Sequence, residues 1–216
     1  MSTDQKLTIS REFYLKDANT VAPELLGKLL IHRSDKGITS GIIVETEAYV
    51  GPNDKAAHSY NNRRTRRTRI QVGTGGYAYI YNIYGMHTCF NIVVNIENKP
   101  EVVLIRALQP VEGIDLMRQR RGIEKKLELC NGPGKLCIAM GISKDYYGCD
   151  LCGAELYLEP CLEVGDNDIM ISPRINIDYA EEYTGYLWRY FIKKNLYISK
   201  VERRFRNQEQ EYRKYN

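Results

Sequence analysis

Two apolar segments joined by a short turn set the strongest limit on what this chain can fold into. Residues 29–33 and 38–49 are rich in aliphatic and β-branched side chains, and the polar turn at 34–37 between them ends in a glycine. Such side chains suit a pleated strand, and a short turn between two such segments indicates an antiparallel hairpin. The sequence therefore predicts a β-hairpin near the start of the fold.

Further segments of the same kind predict strands at 77–81, 90–96, 102–107, 156–158, 169–177 and 188–192. Helices are predicted at 19–27, capped by Asn19 or Thr20 and ended at Gly27, and also at 110–121 and 134–140. These elements lack the regular β-α-β alternation of a doubly wound sheet. We therefore predict an α+β fold, a single compact domain with a mostly antiparallel β core and peripheral helices.

The length of 216 residues and a hydrophobic content of 43% suit one globular domain. We predict a domain at 1–199 and a polar, basic tail at 200–216, which has six basic and three acidic residues. No apolar run is long enough to span a bilayer, and the polar residues 1–6 lack the core of a signal peptide. A cytoplasmic protein without a membrane association is therefore expected.

Basic residues are clustered rather than spread along the chain. One cluster comprises Arg63, Arg64, Arg66, Arg67 and Arg69, and the other comprises Arg118, Arg120, Arg121, Lys125 and Lys126. Clustered positive charge is typical of proteins that bind a polyanion such as nucleic acid. A solvated surface explains any one such run equally well.

The six cysteines do not form a zinc-binding pattern. Cys149 and Cys152 have a C-x-x-C spacing, but a second such pair, or paired histidines, is missing. A cytosolic setting keeps thiols reduced, and Cys89, Cys130 and Cys137 lie in apolar segments, so we expect those three to be small core residues. No metal site is predicted.

Two carboxylates, Glu45 and Glu47, close the second strand of the predicted hairpin. A spacing of two places both on one face of a strand, and Gly51-Pro52 shortly afterwards breaks regular structure. We therefore expect them at the mouth of a sheet rather than in its middle. A partly buried carboxylate has a raised pKa and can act as a general base. A solvated strand end is the alternative that this motif alone favours.

Tyrosines alternate along the predicted strand at 77–81, so Tyr77, Tyr79 and Tyr81 share one face. A base must leave the duplex stack before an enzyme can act on it, and an aromatic wedge on a tight turn can fill the gap. The turn at 84–86 is a candidate wedge, and Tyr49, His58 and Tyr81 offer flat surfaces for a flipped base. A half-buried aromatic strand is the simpler alternative.

Several motifs occur together in a fixed order: Val44-Glu45-Thr46-Glu47-Ala48-Tyr49, Gly51-Pro52, Ala56-Ala57-His58-Ser59, Tyr79-Ile80-Tyr81, Ile83-Tyr84-Gly85-Met86, Asn91, Leu104-Ile105-Arg106-Ala107-Leu108 and Cys130-Asn131-Gly132-Pro133-Gly134-Lys135-Leu136-Cys137. With them, the segment 25–142 closely resembles the alkyladenine (3-methyladenine) DNA glycosylase family of bacteria and vertebrates. Residues 188–192 resemble the family's C-terminal strand. The resemblance covers more than half of the chain.

The resemblance implies a monofunctional glycosylase that flips an alkylated purine out of duplex DNA and hydrolyses its glycosidic bond. It also implies a fold like the C-terminal domain of methionyl-tRNA formyltransferase. Carried over by motif, Glu47 activates the water, and Arg106 and the backbone of His58 hold it. Tyr49, His58 and Tyr81 form the base pocket, in which Asn91 crowds a purine 2-amino group.

For DNA binding, the resemblance makes Tyr84 the intercalating wedge, and we assign further contacts to Met86, Arg64, Arg67 and Arg121. The implied partner is double-stranded DNA with damaged purines, bound by a monomer that needs no metal or organic cofactor. His87 and Thr88 stand where some members carry aromatics, and Arg66 stands where some carry proline. All three departures lie on the expected DNA side.

Two alternatives remain open at this point. One is an enzyme directed at another base or at RNA on the same fold, and the other is a non-catalytic nucleic-acid-binding module. The joint presence of Glu47 and Arg106 argues against the module, because binding alone requires neither residue.

Overall fold

A single antiparallel sheet organises the chain, whose computed structural model describes residues 8–83 and 87–199. Within these residues the strands are β1 (Leu29–Ser34), β2 (Gly37–Val50), β3 (Ala78–Ile83), β4 (His87–Val94), β5 (Glu101–Glu112), β6 (Leu156–Glu159), β7 (Ile169–Ser172) and β8 (Arg189–Ile192). The sheet order is β3-β4-β5-β2-β1-β6, and β8 pairs with both β2 and β7. The predicted α+β class, with its antiparallel core, is confirmed.

The longest strand, β2, has neighbours on both edges along most of its length. Its first half pairs with β1 as the predicted hairpin, while β5 runs along the other edge. The pairing with β1 stops at Ile42. Beyond it, β8 occupies this edge of β2 and pairs with Glu45, Thr46 and Glu47. The two glutamates therefore lie inside the sheet, and their predicted position at its mouth is wrong.

Three helices are present in the described part of the chain: α1 (Ala18–Glu24), α2 (Ile114–Arg121) and α3 (Pro133–Met140). The carboxylate of Asp17 caps α1, accepting the backbone N–H groups of Asn19 and Thr20, so the predicted caps were wrong. Helix α1 also ends before Gly27. The predicted end of α3 at residue 140 is confirmed, and Gly141, which follows it, adopts a left-handed conformation that stops the helix.

The strand β5 is longer than predicted and α2 is correspondingly shorter. Pro110 pairs with Gly41 within the sheet, and α2 begins only after Gly113, whose φ is +70°. Arg106 consequently lies in the middle of β5 and not at its end. The strand β7 stops at Ser172, before Pro173, which has no N–H to donate to a ladder. Residues 174–177, predicted as strand, form a loop instead.

The sheet has two different faces. The helices cover one face, where residues such as Ile80, Phe90, Ile105 and Leu136 form the main hydrophobic core. This core also contains Cys130 and Cys137, and Cys89 is buried as well, as predicted for all three thiols. The other face carries Tyr79, Val93 and Val102, with Tyr49 and Tyr81 packed against them. That second face holds the polar residues singled out in the sequence.

No helix in the described ranges combines the length and apolar character that crossing a membrane requires.

Candidate active site

Strand register brings the predicted site residues onto the second face of the sheet. Glu47 lies opposite Leu104 on β5, and Leu104 lies opposite Asn91 on β4. Asn91 in turn lies opposite Tyr79 on β3. Directly opposed residues of antiparallel strands project to the same side. Arg106, two residues beyond Leu104, lies on the same face of the sheet and contacts Glu47.

The carboxylate of Glu47 is fully buried and held at both oxygens. Its Oε1 accepts a hydrogen bond of 2.8 Å from the backbone N–H of Ile175. Its Oε2 accepts a hydrogen bond of 2.9 Å from the Tyr49 hydroxyl and lies 3.2 Å from Nη1 of Arg106. The alternative of a solvated strand end is therefore wrong.

Arg106 lies between the two glutamates, with Nη1 beside Glu47 and Nε 3.3 Å from Oε1 of Glu45. Burial by itself lowers the pKa of Arg106, but Glu47 and Glu45 outweigh it and raise that pKa. At Glu45, burial tends to raise the pKa, but Arg189 and Arg106 prevail and lower it. Glu45 is therefore an anion at neutral pH and lacks the raised pKa expected of a buried carboxyl.

The aromatic side chains of the predicted base pocket contact one another. The His58 and Tyr81 rings are 4.5 Å apart and nearly perpendicular, and the Tyr79 and Tyr81 rings are 5.5 Å apart. Nδ1 of His58 lies 2.7 Å from the Tyr79 hydroxyl. Tyr49 packs against the same cluster, so these side chains form one aromatic wall beside Glu47.

The ionisable groups of this wall are uncharged at neutral pH. Burial, with Arg67 and Arg63 nearby, lowers the pKa of His58 to about 4. Burial raises the pKa of Tyr49 and Tyr81 above the usual range for a phenol. The wall therefore presents neutral rings to the space that it lines.

Asn91 is buried among these residues. Its side-chain amide donates a hydrogen bond of 3.0 Å to the backbone carbonyl of Tyr79, on the neighbouring strand. This bond fixes the amide within the row that also contains Glu47.

Sequence analysis missed a buried arginine behind Tyr49. The Arg174 guanidinium lies 4.7 Å from the Tyr49 ring centroid and 4.9 Å from that of Trp188. It pairs with the carboxylate of Asp54 through two hydrogen bonds, and neither side chain is exposed. Asp54 follows the Gly51-Pro52 break, but no local pattern links it to an arginine 120 positions later.

The arginine-rich loop lies at the edge of the aromatic wall. Its five arginines are exposed, and the Arg67 guanidinium lies 5.9 Å from the Tyr81 ring centroid. The hydroxyl of Tyr147 donates to the backbone carbonyl of Arg67 at 3.0 Å, which ties the loop to the domain. Arg121 lies elsewhere and donates its Nε–H to the carbonyl of Leu129.

Two predicted DNA contacts, Tyr84 and Met86, lie outside the described residues, as does the predicted tail at 200–216.

A cleft of about 930 Å³ opens between the β1–β2 turn and residues 141–155. None of the predicted site residues lines it, so its size does not make it the candidate active site. Across the described ranges, no group of three or more His, Cys, Asp or Glu side chains is arranged to hold a metal ion.

The sequence profile of the methylpurine-DNA glycosylase family matches residues 12–196. The chain belongs to this family, which confirms the resemblance inferred from its motifs. It is thus a DNA glycosylase, a hydrolase that binds DNA and acts in base-excision repair.

Bacterial relatives cover nearly the whole chain. A protein of Natranaerobius thermophilus is 46% identical over 196 residues, which is 89% of this chain and 99% of the relative. A protein of Clostridium acetobutylicum is 47% identical over 210 residues, or 91% of this chain and all of the relative. One from Clostridium novyi is 46% identical, over 89% of this chain and 98% of its own. All three are provisionally named 3-methyladenine DNA glycosylase.

Proposed function

We propose that this enzyme flips an alkylated purine such as 3-methyladenine out of duplex DNA and hydrolyses its N-glycosidic bond with a water activated by Glu47. One observation carries the proposal: a buried carboxylate, held at both oxygens, stands beside a wall of neutral aromatic rings. The names of the relatives supply the substrate.

In this proposal Glu47 acts at C1′ of the flipped nucleotide. Cleavage of a glycosidic bond passes through an oxocarbenium-like transition state, so a carboxylate there both orients water and stabilises positive charge. Arg106 holds the carboxylate in place through its contact at Oε2. With the backbone of His58, it also helps to position the water. The product is a free base and an abasic site.

Substrate choice follows from the neutral pocket. A 3-alkylated adenine is cationic, and an aromatic face attracts a cation by roughly 0.5–2 kcal/mol per contact. Tyr49, His58 and Tyr81 supply the faces, and His58 adds no opposing charge because its pKa is lowered to about 4. Asn91 is proposed to crowd the 2-amino group of a guanine.

DNA binding is proposed to use the exposed arginine loop, with Arg64 and Arg67, together with Arg121. Tyr84 is proposed as the wedge that replaces the flipped base, with Met86 next to it. We further propose that the enzyme is a monomer with one domain at 1–199 and a basic tail. The likeness of its fold to the C-terminal domain of methionyl-tRNA formyltransferase is part of the same proposal.

The reaction is proposed to stop at the abasic site, because a carboxylate rather than an amine occupies the matching catalytic position. The test is to incubate the enzyme with duplex oligonucleotides that each contain one modified purine. Free base is measured by chromatography, and strand breaks are scored with and without alkali. We expect release of alkylated adenine and breaks only after alkali. Failure to release any modified base would overturn the proposal and favour a binding module.

A further inference from the structure

The first glutamate of the pair, Glu45, has no part in the chemistry proposed above, yet it is as deeply buried as Glu47. Its Oε1 accepts hydrogen bonds from Nε of Arg189 at 2.7 Å and from the Ser199 hydroxyl at 2.8 Å. Its Oε2 accepts the backbone N–H of Ser199 at 2.6 Å. Such complete satisfaction is required of a buried charge.

Glu45 is also linked to Glu47, because the side chain of Arg106 contacts both glutamates. Nε of Arg106 lies 3.3 Å from Oε1 of Glu45, while Nη1 of the same guanidinium lies 3.2 Å from Oε2 of Glu47. A guanidinium is planar and rigid, so fixing one edge fixes the direction of the other. Nε of Arg106 makes no hydrogen bond in the described part of the chain, so Glu45 holds this edge of the guanidinium by charge attraction.

Ser199 lies beyond the part of the chain that the family profile matches, which ends at residue 196. Its buried side chain and backbone both contact Glu45. The segment that follows β8 thus returns to the sheet, and Ser199 contacts both carboxylate oxygens of Glu45.

We propose that Glu45 is a positioning residue, which, held by Arg189 and Ser199, aims Arg106 at the carboxylate of Glu47. This inference rests on the proposed role of Glu47 as the general base. The charges of Glu45, Glu47, Arg106 and Arg189 sum to zero within the buried cluster. Removing the charge of Glu45 leaves one excess positive charge in the cluster and releases the Arg106 guanidinium from its present direction toward Glu47.

The test substitutes Glu45→Gln, which preserves size and removes the charge. The matched control is Glu101→Gln, because Glu101 is a buried glutamate of the same sheet whose Oε2 accepts the N–H of Ala18 instead. Single-turnover excision is measured on folded protein with saturating enzyme. We expect Glu45→Gln to slow excision by about 10- to 100-fold, as misplacement of a catalytic group does, with unchanged DNA affinity. Glu101→Gln should excise at the wild-type rate.

The split between the chemical step and DNA binding separates positioning from mere support of the fold. A weakened fold would lower the excision rate and the DNA affinity together, whereas a misdirected Arg106 lowers the single-turnover rate alone. Other described groups that act on Glu47 are Tyr49 on β2, Tyr81 on β3, Cys89 on β4, Arg106 on β5, and Arg174 and Tyr179 after β7. None of these groups is altered in the variant.

If Glu45→Gln does not fold, Ser199→Ala tests the proposal instead. This substitution removes one of the hydrogen-bond donors to Glu45 and leaves every charge in place. We expect slower excision at unchanged DNA affinity. A wild-type rate in Ser199→Ala, where Glu45→Gln is unfolded, overturns the proposal. A folded Glu45→Gln that excises at the wild-type rate overturns it as well. Glu47→Gln is run in parallel: its full activity would instead overturn the proposed function.

Discussion

Nη1 of Arg106 lies 3.2 Å from Oε2 of Glu47, and both side chains are closed off from bulk solvent. An isolated buried carboxylate avoids the cost of desolvation by taking up a proton. Here the arginine, together with the Tyr49 hydroxyl and the N–H of Ile175, offsets that cost. A buried base is thereby kept next to the aromatic wall in a fixed orientation.

The Asp54–Arg174 ion pair should be a large contributor to stability. Asp54→Asn leaves the Arg174 guanidinium buried without its counter-charge, which typically costs about 3–5 kcal/mol. We expect this loss in the free energy of unfolding measured with urea. The control is Asp150→Asn, which breaks the partly exposed pair with Arg11 and should cost roughly 1 kcal/mol or less. Equal losses in the two variants would contradict the account.

The neutral state of His58 predicts how stability changes with pH. Its pKa is about 4 in the folded chain against an ordinary value of 6.5, so the unfolded chain binds the proton first as the pH falls. The free energy of unfolding should therefore decrease as the pH is lowered from 6.5 toward 4. His58→Gln should reduce this slope, and ring NMR signals should titrate near pH 4. Titration close to 6.5 would show that the ring is not buried as described.

Salt dependence tests the arginine loop as a phosphate-binding surface. Each phosphate contact contributes about 0.9 to the slope of log K against log salt concentration. The double variant Arg64→Ala/Arg67→Ala should therefore lower the slope by roughly 2 if each arginine neutralises one phosphate. The control is Arg33→Ala, an exposed arginine on β1, which lies toward the opposite edge of the sheet from β3. Fluorescence anisotropy at several salt concentrations gives the slope for each variant. If the double variant and the Arg33→Ala control have equal slopes, the arginine loop is not the phosphate-binding surface.

The wedge hypothesis concerns Tyr84. A base stacked on an aromatic side chain gains roughly 1–3 kcal/mol. Tyr84→Ala should therefore slow excision from duplex DNA by about tenfold and have a much smaller effect on a single-stranded target, which has no stack to replace. Melting temperature is measured alongside. An equal loss on both substrates, together with a lower melting temperature, would show that Tyr84 supports the fold instead.

Sequence patterns predicted the features that depend on neighbouring residues. The hairpin of β1 and β2 follows from apolar strands and a turn that are adjacent in the chain. The cap of α1 was assigned wrongly because Asp17, Asn19 and Thr20 all favour that position. Pro110 suggested a helix start, but it is accommodated in β5 opposite Gly41, where the register shifts.

The environment of Glu47 depended on contacts that no local pattern contains. The donor to its Oε1, Ile175, lies 128 positions away, and β8 closes the strand edge from a similar distance. Because these contacts are distant in the chain, the sequence motif alone did not reveal them and favoured a solvated carboxylate. Only the family resemblance assigned Glu47 its role, and neither Arg174 nor Ser199 was part of the sequence prediction.

The most direct test of the central claim is single-turnover excision of 3-methyladenine from duplex DNA by Glu47→Gln. The substitution keeps the shape of the side chain and removes the basic oxygen, so the rate constant should fall by at least about 10²-fold. DNA affinity, measured on the same duplex, should stay within the range of the wild type, because phosphate contacts lie elsewhere. A Glu47→Gln enzyme that binds and excises at the wild-type rate would contradict the assignment of Glu47 as the general base.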